Sequence, residues 1–179
     1  METSLFAQLK KVTEEHPRIT STTLRARASW DGNLRAKAKV RQHRAFPLDE
    51  LRYLGGGDSG PNPIEHFLAA FGGCICILGS ALAREMGLDV RGLEAEVEGT
   101  LDVRGFLAED GITSQFRTVK ARVLVATNET QEQIDRLKVE FERRCPFHTM
   151  LVNAGTALDS QWEAIRPRGR GQRETCPGQ

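Results

Sequence analysis

The chain has 179 residues, and its 25 Lys and Arg against 24 Asp and Glu give a formal net charge of +1. This length suits one domain with a hydrophobic core, or half of an intertwined dimer. A nearly neutral chain has no general electrostatic attraction for nucleic acid or for an anionic membrane, so we expect neither as a partner.

The N-terminal sequence and the cysteine content favour a cytoplasmic protein. The first twenty residues carry charges early and lack the long apolar core of a signal peptide. Four cysteines, at positions 74, 76, 145 and 176, do not make a disulfide-stapled scaffold. We therefore expect a reducing setting, in which thiols stay free to react.

Hydrophobic periodicity predicts alternating groups of helices and strands. Helices are predicted over 4–15, 63–85 and 130–144, with a short one after Pro146, and strands over 19–30, 34–43, 46–54, 90–103, 114–127 and 156–165. The "DGN" triplet at 31–33 is typical of a hairpin turn. This order predicts an α+β fold with a mostly antiparallel sheet. We divide the chain into an N-terminal helical extension (1–18), one domain (19–165) and a disordered, arginine-rich tail (166–179).

The predicted helix over 63–85 is apolar nearly all round. Asn62 suits its N-cap, Pro63 its first helical position and Gly87 its C-cap. Its charge-free stretch, residues 67–83, is 17 residues long, which is at the low end for a membrane span. The Gly, Ala and Ser content of this stretch favours a buried core helix that needs apolar partners on every side. The pair Gly72-Gly73 predicts a close approach to the backbone, by a ligand or, more commonly, by another helix.

The cysteines differ in their predicted surroundings. Cys74 and Cys76 are two positions apart on a helix, so they point roughly 200° from each other and at most one of them serves a given site. Because Pro146 suits the first position of a helix, Cys145 is predicted to be that helix's N-cap, where free N–H groups favour a thiolate. Arg143 and Arg144 adjoin Cys145, and His148 is close enough to reach back towards it.

The residues alone leave three roles open for these thiols, which are packing, metal binding and nucleophilic chemistry. Buried free cysteine is common as packing, and we read Cys76 in this way. A zinc site would take Cys74, Cys145 and His148, with His66 as a fourth ligand. This spacing matches no established zinc signature, so we predict no metal. Cys176 lies in the tail, and we expect no role for it.

Two motifs together resemble a known family. The stretch "GPNPIEHFLAAFGGC" (60–74), followed later by "CPFH" (145–148), resembles the OsmC/Ohr family of thiol-dependent peroxide reductases. The resemblance covers roughly 21–165 and includes "ASWDGNLRAKAKV" as the opening hairpin. It implies an OsmC-like fold, in which antiparallel sheets wrap two long central helices in an intertwined homodimer. A second copy would supply the partners that the apolar helix needs.

The resemblance also implies a chemistry that needs no cofactor. Cys74 corresponds to the cysteine that attacks the peroxide and becomes a sulfenic acid, and Cys145 to the one that condenses with it to a disulfide. A dithiol reductant then restores both thiols. The partners implied are therefore an organic hydroperoxide, a dithiol and a second copy of the chain.

This sequence departs from the family pattern where the thiolate is activated. The catalytic members carry a glutamate at the position of Ile64, whereas the nearest glutamate here is Glu65, rotated by about 100° on a helix. Glu65 is a candidate for that role, or it caps the helix end or pairs with an arginine. Arg35 is the best candidate for the family's hairpin arginine, ahead of Arg27 and Arg41. His148 is a candidate for the local base or hydrogen-bond partner.

Apolar residues near the motifs favour a hydrophobic substrate over hydrogen peroxide; they are Phe67, Phe71, Ile77 and Phe147. A peroxide-attacking thiolate needs a lowered pKa, whereas an apolar helix would raise the pKa of Cys74, so a cation or hydrogen-bond donor has to lie nearby. The alternative function is an OsmC-like dimer that binds a hydrophobic small molecule without turnover.

Overall fold

The computed structural model describes residues 5–18 and 20–167. Within them it has helices α1 (Leu5–Glu15), α2 (Pro63–Glu85), α3 (Gln131–Arg144) and α4 (Pro146–Asn153), and strands β1 (Ala26–Trp30), β2 (Arg35–Val40), β3 (Phe46–Asp49), β4 (Val90–Leu101), β5 (Phe116–Thr127) and β6 (Ala157–Ile165). Short 3-10 turns occupy Arg52–Leu54 and Val103–Leu107. This arrangement confirms the α+β class. The predicted tail lies, beyond Pro167, outside the described residues.

The chain divides into two compact units. One is Ala7–Ala70, which holds the first sheet and the start of α2. The other holds the described chain from Phe71 onward, together with Leu5 and Phe6. The second unit carries both cysteines of the predicted pair.

The first sheet is an antiparallel meander in the order β1-β2-β3. Gly32 and Asn33 adopt positive φ angles of 88° and 47°, which make the hairpin turn predicted from "DGN". Strand β1 is shorter than predicted because it pairs only from Ala26, opposite Val40, to Trp30. All five residues of β1 are exposed, so this strand is not covered in the single chain.

Asp49 organises the glycine-rich loop that leads from β3 towards α2. Its buried carboxylate accepts hydrogen bonds from the Ser59 hydroxyl (2.7 Å) and from the backbone N–H groups of Ser59, Gly57 and Glu50 (2.9–3.2 Å). The Ser59 hydroxyl, with these backbone donors, lowers the pKa of Asp49 to about 2. The loop also needs a residue without a side chain at Gly56, because a Cβ there would collide with the Glu50 backbone.

Helix α2 begins and ends as its sequence predicts. Asn62 Oδ1 accepts the N–H of Glu65 (2.9 Å), and the Glu65 carboxylate accepts the N–H of Asn62 (2.8 Å), which is a reciprocal cap. Pro63 is the first helical residue. Gly87 follows the helix in the left-handed region, with φ of 71°.

The close neighbours of the α2 glycines are strand side chains, where we expected a helix. A Cβ at Gly72 would lie 3.5 Å from Val97 on β4, and one at Gly79 would lie 3.1 Å from Leu93 on β4 and 3.3 Å from the Trp162 ring on β6. The buried face of α2 therefore rests on the second sheet. Gly73 has an open surrounding within the chain.

Helix α2 is long and apolar enough to cross a membrane, by length and composition alone. Its buried face packs against the second sheet, as in the core helix of a soluble protein. Only 28% of its most apolar stretch is buried, however, and Ile77 is 70% exposed. A large apolar surface of α2 is thus open to solvent in the single chain.

The second sheet has the order β4-β5-β6 and is mixed rather than antiparallel. Strands β4 and β5 form a long antiparallel pair, whereas β5 and β6 are parallel, from Thr118 opposite Ala157 to Ala126 opposite Ile165. Among the described strands the pairings are thus mostly antiparallel, as predicted, and the parallel β5–β6 pair is the exception. It follows from the α3–α4 connection, which carries the chain back to the starting end of β5. Helix α3 buries Ile134, Leu137 and Phe141.

We predict that Asp49→Asn lowers the melting temperature by several degrees at pH 7, because an amide replaces a carboxylate that only accepts hydrogen bonds. The pKa of Asp49 is about 2 in the folded chain against an ordinary 3.8. The stabilisation by the carboxylate is therefore complete above about pH 3.8 and disappears as the pH falls through about 2. The difference between variant and wild type should shrink over that range in thermal melts.

Asp58→Asn is the matched control for this prediction. Asp58 lies in the same loop with a φ of 54°, a conformation that Asn tolerates. It is exposed, so we expect its replacement to leave the melting temperature unchanged. Equal melting temperatures for Asp49→Asn and wild type at pH 7 would contradict the role given to Asp49.

Candidate functional site

Two thiols from different helices meet in the second unit. Cys74 projects from the middle of α2, and its Sγ lies 3.4 Å from the Sγ of Cys145. This distance is that of an S–H···S hydrogen bond, and both cysteines are free thiols. The two cysteines that the motifs singled out are therefore in direct contact.

Cys145 is placed by the junction of two helices. Its backbone N–H donates to Phe141 at the end of α3 (2.8 Å), and its side chain caps α4 by accepting the backbone N–H of His148 at 3.5 Å. Pro146 is the first residue of α4, as predicted. The Cys145 side chain is fully buried, and its sulfur lies at the N-terminal end of α4.

Cys74 has the opposite electrostatic environment. Burial, followed by the hydrogen bond to Cys145, raises the pKa of Cys74 to about 12. The physical reason is that a thiolate at Cys74 would be shielded from water and would no longer have the S–H proton that bonds it to Cys145. The described chain thus holds Cys74 as a thiol at neutral pH.

The two arginines before Cys145 bind carboxylates. Arg143 donates a hydrogen bond to Glu140 on α3 (2.7 Å). The hydrogen bonds from Arg143 and, to a smaller extent, from Arg144 hold the pKa of Glu140 below its usual range. Arg144 donates to the same Glu140 oxygen and to Glu85 at the end of α2, each at 2.7 Å. Both guanidiniums next to Cys145 in the sequence are therefore engaged by carboxylates.

Of the predicted apolar contacts, Phe71 and Phe147 stack next to the thiols, with ring centroids 6.1 Å apart. Phe71 is fully buried and Phe147 is half-buried, so Phe147 is the more accessible ring. Ile77 lies on the exposed face of α2. Their contact with a substrate remains a prediction.

The remaining predicted residues, Arg35, Glu65 and Phe67, belong to the unit Ala7–Ala70. The Arg35 guanidinium pairs with Asp31 (3.1 Å), which Lys37 also contacts at 3.0 Å. The Glu65 carboxylate is held in the cap of α2. Both charged side chains therefore already have partners within their own unit.

The other cysteines do not extend the site. The Sγ of Cys76 points to the backbone carbonyl of Leu93 at 3.6 Å, which confirms that it faces away from Cys74. Cys176 lies outside the described residues. Over residues 5–18 and 20–167 there is no group of three or more His, Cys, Asp or Glu side chains that could hold a metal ion.

Sequence reasoning missed the two carboxylates that bind Arg144. Glu140 is four positions before Arg144 on α3, and this spacing is a recognised signal for a helical ion pair. Glu85 lies far away in the sequence, at the end of α2, and has no such signal. Only the packing of the α3–α4 junction on α2 brings it into reach.

Comparisons with known proteins agree on the fold. Residues 55–160, more than half of the chain, match the family model described as OsmC-like protein. Comparison with curated protein sequences gives no match. Similar solved structures include the OsmC-like protein of Mycoplasma pneumoniae, which is 13% identical with a TM-score of 0.72 over 82% of this chain and 100% of that one.

Two further structures of the same fold come from proteins named for organic hydroperoxide resistance. The OsmC protein of Legionella pneumophila is 17% identical, with a TM-score of 0.62 over 80% of this chain and 96% of that one. The protein of Elizabethkingia anophelis, with thiocyanate bound, is 16% identical, with a TM-score of 0.59 over 84% and 99%. At these identities the structures establish the fold alone.

The chain therefore has an α+β fold of OsmC-like architecture in which two thiols touch. Cys74 lies in the middle of α2, and Cys145 lies at the junction of α3 and α4. The family match covers both of these cysteines. The chain belongs to the OsmC/Ohr family.

We predict that Cys145→Ala lowers the pKa of Cys74, because the substitution removes the hydrogen bond and the negative charge that oppose its ionisation. Burial remains, so the pKa should stay above the ordinary value of 9.0. The measurement is the pH profile of Cys74 alkylation, read by peptide mass spectrometry. Cys76→Ala should leave the profile of Cys74 unchanged, and an unchanged or higher pKa in Cys145→Ala would contradict the prediction.

Proposed function

We propose that this protein is a thiol-dependent peroxidase that reduces organic hydroperoxides through Cys74 and Cys145. The observation that carries the proposal is the 3.4 Å contact between the two sulfurs. A disulfide bond is about 2.05 Å long, so the sulfurs need to approach by only about 1.4 Å to form one. Family membership and the names of the similar structures support a hydroperoxide as the substrate.

The proposed cycle balances in three steps. The Cys74 thiolate attacks the distal oxygen of the hydroperoxide, so that an S–O bond forms as the O–O bond breaks. Cys74 becomes a sulfenic acid, and the alkoxide takes up a proton and leaves as the alcohol. The Cys145 thiolate then attacks the sulfur of the Cys74 sulfenic acid, forms the disulfide and releases hydroxide, which becomes water. An external dithiol is oxidised as it returns both cysteines to thiols.

Cys145 is suited to the second step. Its sulfur caps α4, accepts the backbone N–H of His148 and already lies in contact with the sulfur that it has to attack. Burial keeps it from reacting with the peroxide itself, whereas Cys74 is only half-buried. The roles implied by the family resemblance therefore agree with the accessibility of the two sulfurs. The His148 imidazole is our candidate for the local base that accepts a proton from a reacting thiol.

The first step needs a cation that lowers the pKa of Cys74. At a pKa of about 12, only about one molecule in 10⁵ carries the thiolate at pH 7. We propose that a homodimer completes the site and that Arg35, on the hairpin, supplies the charge after exchanging its Asp31 partner. The open apolar face of α2 and the exposed strand β1 support a second copy as the cover.

The glutamate and the apolar residues take supporting roles in this proposal. Glu65 holds the first turn of α2 in place through its cap and so acts as a positioning residue. Phe147, which stacks on the buried Phe71, offers accessible apolar surface to a hydrophobic substrate. We place Ile77 at the proposed dimer interface, where it would border the same pocket, and we include Phe67 on the basis of the sequence. A reducing cytoplasm is the setting that keeps such a thiol pair ready.

A second candidate function is a dimer that binds a hydrophobic small molecule without turnover. The raised pKa of Cys74 and the commitment of Glu65 to the helix cap favour it, because together they leave the described chain without an activated nucleophile. In that case the thiols line the pocket. Turnover with a dithiol separates the two candidates.

We predict that cumene hydroperoxide converts the reduced protein to a Cys74–Cys145 disulfide and that a dithiol sustains turnover. Cys74→Ser should abolish both, and Cys145→Ser should stop turnover with a sulfenic acid left on Cys74, detectable with dimedone. Cys76→Ser is the control and should behave as wild type. Oxidation no faster than that of a free thiol, with no disulfide in the peptide map, would rule out the peroxidase and leave small-molecule binding.

We predict that Ile77→Asp converts the dimer to a monomer, since a carboxylate would be buried against the second copy. The measurement is the molar mass from light scattering after size exclusion. Val139→Asp is the matched control, because Val139 on α3 is also exposed (60%) but lies among polar residues. A wild-type monomer, or equal masses for wild type and Ile77→Asp, would contradict the proposed interface.

A further inference from the structure

Arg144 ties together the two helices whose contact forms the thiol pair. Its Nη1 donates to Glu85, the last residue of α2, at 2.7 Å. Its Nε and Nη2 donate to a single Glu140 oxygen on α3, at 3.0 and 2.7 Å. The Phe6 ring lies over the guanidinium, with its centroid 5.1 Å from Cζ. One side chain, adjacent to Cys145, therefore joins α2 to the end of α3.

This ion pair is accompanied by two other contacts between α2 and the α3–α4 junction. Phe71 stacks on Phe147, Cys74 touches Cys145, and Glu85 binds Arg144. Successive residues of the junction therefore meet positions that lie progressively earlier on α2: residue 144 meets 85, residue 145 meets 74, and residue 147 meets 71. The thiol contact thus lies between an aromatic contact on one side and an ion pair on the other.

We propose that Arg144 is a positioning residue that fixes the separation of the two sulfurs. The inference rests on the proposed function in that it takes Cys74 and Cys145 as a working disulfide pair. Disulfide formation depends on how often the sulfurs meet, and this frequency is set by how firmly the junction stays on α2. Without the ion pair, the end of α3 next to Cys145 loses its polar attachment to α2.

The chemistry of this contact requires arginine. A planar guanidinium presents several donors in fixed directions, so it binds Glu85 and Glu140 at once, whereas a lysine ammonium is a point charge on a flexible stem. The Arg144 side chain is only 30% exposed, which protects the pair from full solvent screening. Arg143 differs in that it is 65% exposed and, within residues 5–18 and 20–167, pairs with Glu140 alone among the carboxylates.

The test is the equilibrium of the protein with glutathione. Two protein thiols and one oxidised glutathione give the Cys74–Cys145 disulfide and two reduced glutathione molecules, so the equilibrium constant measures the effective concentration of the thiols. Reactions are quenched by alkylation, and the disulfide is quantified by peptide mass spectrometry. The variants are Arg144→Met, Arg144→Lys, Glu85→Met and, as the matched control, Arg143→Met, each with its melting temperature.

We expect Arg144→Met to lower the effective concentration about tenfold, the loss expected for one partly buried charged contact. Arg144→Lys should recover part of this loss. Glu85→Met should lower the effective concentration several-fold. A variant that combines Arg144→Met with Glu85→Met should show no larger loss than Arg144→Met alone. Arg143→Met should match wild type. A change in melting temperature without a change in the equilibrium constant would mean that Arg144 only stabilises the fold, and it would overturn the proposal.

The remaining outcomes are equally decisive. Equal losses for Arg144→Met and Arg143→Met would assign the effect to general charge, and an unaffected Glu85→Met would show that the link to α2 does not act; either result overturns the proposal. If Arg144→Met does not fold, Glu85→Met carries the test by itself. The assay contains no peroxide, so a wild-type protein that equilibrates with glutathione but fails to reduce hydroperoxide disproves the proposed function and leaves this inference standing.

Discussion

The constraint on which the structure depends is the need to cover one long apolar helix. Burial of apolar surface contributes roughly 25 cal/mol per Å², and α2 is apolar on most of its circumference. One face is covered by β4 and β6, which approach the helix closely at its glycines. The α3–α4 junction covers the flank that carries Cys74. The other face, with Ile77, is the surface that we assign to a second copy.

The packing of the α3–α4 junction against α2 has two opposing effects on the thiols: it brings them into contact, and it raises the pKa of Cys74. Packing the junction on α2 brings Cys145 to Cys74, but burial and the shared proton hold Cys74 in its neutral form. A peroxide-attacking cysteine needs the reverse. In the cycle that we propose, these two requirements are met separately. Cys145 at the helix junction would act as the resolving thiol, and we assign the charge that activates Cys74 to the proposed dimer.

Charged contacts in this protein mostly position the backbone. Glu65 closes the first turn of α2, Asp49 holds the loop before it, and Arg144 links the far end of α2 to α3. Glu65 and Arg144 thus fix the two ends of the helix that carries Cys74.

The sequence by itself determined the elements and the pair of cysteines. Caps and turns are local, so Asn62, Pro63, "DGN" and the Cys145-Pro146 step were readable, because their hydrogen bonds join residues within a few positions. Family motifs then selected Cys74 over Cys76. Tertiary structure alone decided that β6 pairs in parallel with β5, that strands approach the α2 glycines, and that Glu85 binds Arg144. These contacts join distant parts of the chain, and so does the burial that raises the pKa of Cys74; their energies come from packing that no local pattern encodes.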